Sequence, residues 1–450
     1  MHLSILSIGP MLAFVVTIYL IFKHPTIRIP FTKKYIYIGY GFAPIIGLIV
    51  LFATFSISLG TITRGIVGSA GVEPYSIIIL IMSLAYICVS LDFTGFFEYL
   101  SLRVARFSKN SSKRLFLYFF LLTAFLSLFT DNDTVILTMT LITFYMCRNA
   151  GINPIPFLFA QFFTVNIFGM TLYIGNPTNI VAAEFYGPGL SFVDFAKWMI
   201  LPSVVAAALC IFLIWIIFRK SIPSKFKQSP IDPISAIKNR NGALFGSVVL
   251  GLTIVFMSLA DSLIHAPLWA IALFFAIVMF LHDVVSYRSG ILNISSRIPW
   301  EIVPFLIGLF IVIESLASTG WTELFGSQLS KISGSPITSI FAVGFMSSLA
   351  TGVMNNYPMT IFFVRAFQSH SFVALSNTTK LGSTLALIAG SNLGANFTLI
   401  GVLAGLMWAK ILSDKGYPIS FKEFSKYGFL IMPIVIAVAC LVISIEVAIL

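Results

Sequence analysis

Charged residues are scarce in this sequence. Asp, Glu, Lys and Arg make up 10% of its 450 residues, whereas 58% are hydrophobic. Soluble domains are about one-quarter charged, so the lipid bilayer must solvate most of this chain, and a soluble globular protein is excluded. The net charge of +11 does not indicate nucleic acid binding, because the Lys and Arg residues lie mostly in short loops between apolar runs. That distribution is typical of membrane topology.

Motifs for catalysis and for metal binding are also missing. Cys88, Cys147, Cys210 and Cys440 lie in four separate apolar runs and predict neither a disulfide framework nor a zinc site. The five histidines do not cluster, and the sequence contains no G-x-x-x-x-G-K-[ST] motif. We therefore predict a protein that is not an enzyme, has no cofactor and does not hydrolyse ATP itself. The sequence leaves open whether a partner ATPase binds to loop 219–242 and whether the protein forms a homodimer.

Long apolar runs are abundant. A membrane-crossing helix needs about 20 residues. Ten runs approach or exceed that length, namely 3–22, 35–57, 74–91, 155–186, 200–218, 244–260, 266–283, 301–318, 380–411 and 427–449. The first run lacks the basic n-region of a signal peptide, so we expect a retained helix. The pattern predicts an all-α, multi-pass integral protein of the plasma (inner) membrane, surrounded by lipid.

Two further apolar regions are interrupted by polar residues. Region 114–148 breaks at Thr130-Asp131-Asn132-Asp133, and region 336–374 breaks at Asn355-Asn356-Tyr357-Pro358. Each arm has about 16 residues, which is marginal for a full crossing. We therefore predict a re-entrant helical hairpin in each region, with its polar tip covered by protein or water.

Two of the ten long runs are interrupted as well. Run 155–186 breaks at Gly175-Asn176-Pro177-Thr178-Asn179, and run 380–411 breaks at Ser391-Asn392-Leu393-Gly394-Ala395-Asn396. Gly and Pro unwind a helix. We predict two discontinuous helices whose freed backbone groups lie in mid-membrane.

An internal repeat relates the two halves. The pattern S-F-x-[DE]-F-x-K-[WY] occurs at 191–198 and at 420–427, an offset of 229 residues. A second pair, the T-G-[FW] segments at 94–100 and 319–325, has an offset of 225 residues. Between these two motifs each half contains one hairpin region and one broken run, in the same order. Chance does not readily produce two matches at nearly one offset around the same architecture.

The positive-inside rule gives the orientation. Basic residues are concentrated in loops 23–34 and 219–240 and in region 92–114, which we place in the cytoplasm. Five crossings separate Gly95 from Gly320, so the repeats have inverted topology, which is a signature of secondary transporters. The predicted organisation is an N-terminal helix and basic loop (1–34), a first repeat (35–218), a basic linker (219–243) and a second repeat (244–450), with both termini outside.

Ionisable and amide side chains at membrane depth indicate a binding site. The candidate ion- and substrate-binding residues are Thr130, Asp131, Asn132, Asp133 and Thr134 at the first tip, Asn355, Asn356 and Thr360 at the second, and Asn176, Thr178, Asn179, Ser391, Asn392, Asn396 and Thr398 at the breaks. Three alternatives stay open. First, the tip residues could cap the returning helices, and the returning helix of the first hairpin would then start at Val135. Second, the first tip could be a surface loop. Third, the breaks could be simple kinks.

The first tip also predicts ion coupling. Asp131 and Asp133 are two poorly hydrated carboxylates that repel each other, which favours proton binding by one of them. Alternatively, the pair could neutralise a bound Na⁺ with help from the side-chain oxygens of Asn176 and Asn179. The second tip has no carboxylate, so the two halves are not expected to be equivalent in coupling.

The sequence resembles the arsenite efflux permease and NhaD-type Na⁺/H⁺ antiporter family, within the ion transporter superfamily that includes citrate and dicarboxylate carriers. The resemblance runs from about residue 8 to residue 449. The segments that carry it are 92–98, 129–133, 179–181, 184–187, 299–303, 354–358, 392–394 and 400–401. It implies that both tips and both breaks line a midplane site, with an elevator-like or rocking motion.

Residues and resemblance together predict a secondary transporter that moves a small anion or oxyanion, coupled to H⁺ or Na⁺. A Na⁺/H⁺ antiporter is one alternative, and a citrate- or dicarboxylate-type symporter is another. A channel is disfavoured, because the inverted repeat has paired breaks. A membrane-embedded enzyme is disfavoured, because the sequence has no catalytic cluster.

Overall fold

The computed structural model is almost entirely helical, and it describes residues 7–23, 26–28, 35–37, 39–68, 73–130, 132–226, 232–286 and 291–449. The first half contains α1 Ile8–Lys23, α2 Ala43–Ala53, α3 Leu59–Val67, α4 Pro74–Phe93, α5 Phe96–Phe107, α6 Ser112–Phe129, α7 Asn132–Ala150, α8 Ile155–Gly169, α9 Pro177–Tyr186 and α10 Phe192–Phe218. The second half contains α11 Arg240–Ser258, α12 Leu268–Ser286, α13 Ile291–Ser295, α14 Ile302–Ser318, α15 Trp321–Ile332, α16 Pro336–Met354, α17 Asn356–Phe367, α18 His370–Val373, α19 Asn377–Leu393, α20 Leu403–Asp414 and α21 Phe421–Ile449.

One small β ladder departs from the all-α expectation. Strand β1 Thr26–Arg28 pairs antiparallel with strand β2 Tyr35–Tyr37, around the predicted basic loop. The predicted crossing at 35–57 therefore starts as a strand, and its α-helix, α2, has only 11 residues. Helix α2 begins where Pro44 fits the first helical turn, because an N–H is not needed there.

Seven helices among the described residues are long and apolar enough to cross a membrane, namely α4, α6, α10, α11, α12, α16 and α21. Helices α1, α8 and α14 are apolar but shorter, with 16, 15 and 17 residues. The first arms of the two hairpins, α6 and α16, have 18 and 19 residues. The estimate of about 16 residues is too short for both, because α6 begins at Ser112, before the predicted region, and α16 fills the whole stretch from Pro336 to the break.

The same succession of elements occurs in both halves. Helix α4 turns into α5 at Gly95 with a φ of +83°, and α14 turns into α15 at Gly320 with a φ of +88°. These left-handed positions favour glycine because a Cβ atom would be strained there. Each half continues with a hairpin (α6–α7, α16–α17), a broken helix (α8–α9, α19–α20) and a long final helix with an internal proline, Pro202 in α10 and Pro433 in α21. The predicted repeat is confirmed.

The two halves pack closely where their broken helices meet. Helix α10 packs against α21, and α19 packs against both α8 and α9. Phe159 of α8 lies at the centre of an aromatic cluster, with ring centroids 5.7 Å from Trp408, 5.6 Å from Phe424 and 5.0 Å from Tyr427. This cluster joins α8 of the first half to α20 and α21 of the second. It therefore fixes the two helix breaks relative to each other.

The orientation can be tested by labelling single cysteines. Ser221, at the start of the basic linker, and Ser262, between α11 and α12, are both exposed. We expect Ser221→Cys to react with a membrane-impermeant thiol reagent only from the cytoplasmic side and Ser262→Cys only from the opposite side. The native cysteines give little background, because all four are buried. Labelling of both positions from one side would refute the inverted topology.

Candidate functional site

The first helix break ends at an asparagine cap. Asn176 accepts a hydrogen bond from the Thr178 N–H at 3.1 Å, and Pro177 follows it in the first turn of α9. Before the cap the backbone folds back tightly, since a Cβ atom at Gly175 would lie 2.5 Å from the carbonyl oxygen of Gly169. The break is thus a formed turn between two half-helices.

Asn392 connects the two breaks. Its Oδ1 accepts from Asn176 Nδ2 at 2.8 Å, and its Nδ2 donates to Asn179 Oδ1 at 2.8 Å. The hydroxyls of Thr178 and Ser391 lie 3.1 Å apart beside this pair. All five side chains are buried. The structure therefore brings together five of the predicted site residues, which form two groups more than 200 positions apart in the sequence.

The first hairpin tip reaches the same region. Asn132 Nδ2 donates to Asn166 Oδ1 at 3.2 Å, and Asn166 Nδ2 donates to Asn396 Oδ1 at 2.8 Å. Asn132 Oδ1 is buried and has no hydrogen-bond partner among the described residues. Thr130 and Asn132 are both buried, which excludes a surface loop for these two residues. Asp131 lies outside the described residues.

Asp133 caps a helix, although not the one that the sequence predicted. Its Oδ1 accepts from the backbone N–H of Ala404 at 3.0 Å, in the first turn of α20. Helix α7 starts at Asn132 and not at Val135, so Asp133 lies within its own first turn and reaches across to a helix of the other half. The carboxylate thereby joins the first tip to the second broken helix. Thr134 follows it on α7.

The second hairpin tip lies against the second break. Asn355 accepts from the Tyr357 N–H at 3.2 Å and donates to the Ile400 carbonyl at 3.3 Å, and the Asn356 N–H donates to the Gly401 carbonyl at 3.1 Å. Asn355 is thus the predicted cap. Thr398 donates to the Gly352 carbonyl at 2.7 Å and holds the break against α16.

Two polar atoms at the second tip are unpaired within the described part of the chain. Asn356 Oδ1 and Thr360 Oγ1 are both buried, and neither has a hydrogen-bond partner among the described residues. An unpaired buried polar group costs free energy of about 1–3 kcal/mol. Together with Asn132 Oδ1 on the first tip, these atoms are positioned to receive a ligand.

The electrostatics of the cluster come from one carboxylate and four helix N-termini. Among the described predicted site residues Asp133 is the only charged one, and none is Lys or Arg. The hydrogen bonds above connect the N-terminal ends of α7, α9, α17 and α20. Each such end carries a partial positive charge, which favours bound anions. The arrangement can hold a small anion by amides and dipoles, beside a carboxylate available to a cation.

Asn166 is a site residue that the sequence analysis missed. It lies within α8 and not at the break, and it connects Asn132 to Asn396. A signal for it exists, since Asn166 precedes Asn392 by 226 residues, within the repeat offsets of 225 and 229. Applying the repeat to single residues would have found it.

Sequence comparison places the chain in a family. The sequence profile described as "Citrate transporter" matches residues 18–379, most of the chain. The chain belongs to the citrate transporter family. Relatives of this family member include the "Arsenical pump membrane protein" of Escherichia coli K12, which is 28% identical over 403 residues, covering 87% of this chain and 90% of the relative. The protein of the same name from Yersinia enterocolitica is 29% identical over 349 residues, covering 76% and 80%.

Solved structures share the fold of this citrate transporter family member. The Alcanivorax borkumensis YdaH transporter, described as having an unusual topology, matches with a TM-score of 0.58 and 13% identity, covering 99% of this chain and 98% of that one. Neisseria gonorrhoeae MtrF, described within a class of antimetabolite efflux pumps, matches with a TM-score of 0.55 and 12% identity, covering 97% and 94%.

These findings confirm the predicted class. The family and its relatives are named as transporters and pumps, so this citrate transporter family member is a transporter of an ion or anion and not an enzyme. Its seven or more apolar spans make it a multi-pass integral membrane protein in contact with lipid. The resemblance to arsenite permeases is confirmed by the arsenical pump relatives.

Proposed function

We propose that this protein is a secondary active transporter that moves a small anion or oxyanion in exchange or together with H⁺ or Na⁺. The observation that carries the proposal is the buried cluster at the two helix breaks, centred on Asn392 with Asn176 and Asn179. Neutral amides and half-helix N-termini suit an anionic solute, because they supply N–H donors and a positive dipole without a fixed charge.

The proposed solute contacts are buried groups that have no hydrogen-bond partner among the residues that the structure describes. Asn132 Oδ1, Asn356 Oδ1 and Thr360 Oγ1 are buried acceptors near the breaks. These oxygens suit a hydroxyl of the solute or a bound cation, whereas the half-helix N–H groups suit its anionic oxygens. The remaining proposed site residues hold these contact groups in position. Asn166, for example, connects Asn132 to Asn396 by hydrogen bonds.

Coupling is assigned to the first hairpin tip. Asp133 is a partly buried carboxylate beside the N-terminus of α20. A carboxylate at this depth can take up a proton or neutralise a Na⁺, which a set of amides cannot do.

We also propose that residues 35–218 and 244–450 act as two repeats joined by linker 219–243. During transport, the contacts between the two repeats at the helix breaks would change.

Proteoliposomes test the proposal directly. Purified protein should accumulate one of the radiolabelled anions citrate, phosphate or arsenate, or exchange arsenite, only when a pH or Na⁺ gradient is imposed. Citrate uptake with Na⁺ or H⁺ would favour the carboxylate symporter, and an exchange of Na⁺ for H⁺ that needs no other solute would favour the antiporter. Solute flux that ignores both gradients would refute secondary active transport.

A further inference from the structure

A cavity separate from the amide cluster lies at the far ends of the helices that form it. Its volume is about 360 Å³, and its walls come from α9, α17, α18 and α19. Four aromatic rings line it, those of Phe185, Tyr186, Phe367 and Phe372, and the last two are stacked with centroids 4.3 Å apart. Binding cavities for small molecules start at about 300 Å³, so this one can hold a small organic anion.

Among the described residues that line this cavity, Lys380 is the only charged one. Its ammonium donates to the Val373 carbonyl at 3.3 Å, and no carboxylate lies within ion-pair distance in the part of the chain that the structure describes. An ammonium has three donors, so most of its hydrogen-bonding capacity faces open space. The nearby carboxylate of Glu184 accepts instead from the Ser76 hydroxyl of α4, at 3.2 Å. The cavity is therefore positive.

Two half-helices connect this cavity to the amide cluster. Helix α9 runs from the first break to the cavity, and α19 runs from the cavity to the second break. Where the two half-helices reach the breaks, the hydroxyls of Thr178 and Ser391 are in contact. Where they reach the cavity, Phe185 and Lys380 both line its wall. A rise of about 1.5 Å per residue puts about 16 Å between Lys380 and Ser391.

One face of α19 is polar along this path. Asn377, Lys380, Thr384 and Ser391 follow one another at spacings of 3, 4 and 7 residues, which place them on the same side of a helix. The path is closed in this conformation, because Leu387 between Thr384 and Ser391 is completely buried. Leu387 thus forms a barrier between the cavity and the amide cluster.

We propose that this cavity is the outer access vestibule of the transporter, in which Lys380 captures a small anion before it passes along α19 to the helix breaks. The inference rests on the proposed function for the nature of the solute. The positive-inside pattern places the loops that flank the cavity, around residues 187–191 and 374–376, on the outer side. Aromatic rings line the cavity, and the edges of such rings carry partial positive charge that tolerates an anion.

The first test needs no substrate. In Asn377→Cys, an exposed cavity position, two reagents of similar size are applied from outside, anionic sulfonatoethyl methanethiosulfonate and its cationic trimethylammonioethyl analogue. The ratio of the anionic to the cationic rate should exceed the same ratio for a free thiol in solution. One charge at about 6 Å changes the local concentration of a monovalent ion roughly threefold, so the ratio of the two rates should shift about tenfold. Adding Lys380→Gln should remove this preference, whereas Lys331→Gln, at an exposed lysine on α15, should not. An unchanged ratio with Lys380→Gln would overturn the positive vestibule.

The second test measures capture. For citrate uptake into proteoliposomes, Lys380→Gln should raise the KM for external citrate roughly three- to tenfold with little change in the maximal rate, and Lys380→Arg should restore it. Lys331→Gln should leave both values unchanged. An unchanged KM in Lys380→Gln would overturn the capture role even if the reagent preference holds. If the wild-type protein moves no anion, the proposed function fails, and the reagent ratio still decides whether the cavity selects anions.

Discussion

Replacing Asn392 with alanine should reduce transport roughly 30-fold or more, because this side chain connects the two helix breaks. The substitution leaves Asn176 Nδ2 and Asn179 Oδ1 without their bonds of 2.8 Å. Each buried polar group left unpaired costs about 1–3 kcal/mol, and 2 kcal/mol corresponds to a factor of about 30. Initial rates of gradient-driven uptake measure the effect.

The matched control is Asn153→Ala. Asn153 is an exposed asparagine that accepts from the Ile155 N–H at 3.1 Å, so its loss removes a local bond at the start of α8 but no bond between the halves. A thermal unfolding curve, measured by size-exclusion chromatography after heating, separates lost stability from lost function. Without heating, Asn392→Ala should still elute as a monodisperse species. Uptake at the wild-type rate would show that the breaks are merely kinks, as one sequence alternative holds.

Substituting Asp133 with asparagine should abolish ion-driven accumulation while solute exchange continues. An asparagine retains a side-chain oxygen for the Ala404 N–H, so the cap of α20 is preserved and only the charge is lost. One ion moving down a tenfold gradient supplies about 1.4 kcal/mol, which supports tenfold accumulation of solute. The accumulation ratio should therefore fall about tenfold per coupled ion, measured with the membrane potential clamped.

Glu323→Gln is the control for this experiment. Glu323 also accepts from a helix N-terminus, the His370 N–H at 3.2 Å, but it lies on α15 away from the helix breaks. Its neutral variant should accumulate solute normally. If Asp133→Asn also shows unchanged ion dependence, Asp133 is only a cap, and the coupling group lies elsewhere.

The sequence predicts the architecture well because its signals are local. Helix breaks follow from Gly, Pro and Asn within apolar runs, and the repeat follows from two short motifs. Asn176 and Asn355 act as caps, as those residue types favour. By contrast, the partner of Asp133 could not be predicted, because Ala404 lies 271 residues away and contributes only a backbone N–H.

An ion cluster that joins three helices shows the same limit of prediction from sequence. Glu314 of α14 accepts from Arg64 of α3 at 2.7 Å and also from Arg365 of α17. The sequence places these three charges near the ends of separate segments, where each could as readily reach water. Only the packing of α3 and α17 around α14 brings them together, so this link between scaffold and second hairpin emerges from tertiary structure alone.

The hydrogen bonds across the breaks also constrain how such a chain could have arisen. Asn176 and Asn179 of one half find their partner in Asn392 of the other, and Asn166 finds its partner in Asn396. A solitary half would bury these amides unmatched, whereas a second copy inserted upside down would supply complementary groups. The interface is thus consistent with an ancestral single repeat that paired with an inverted copy of itself, whereas the two tips now differ, one with aspartates and the other with asparagines.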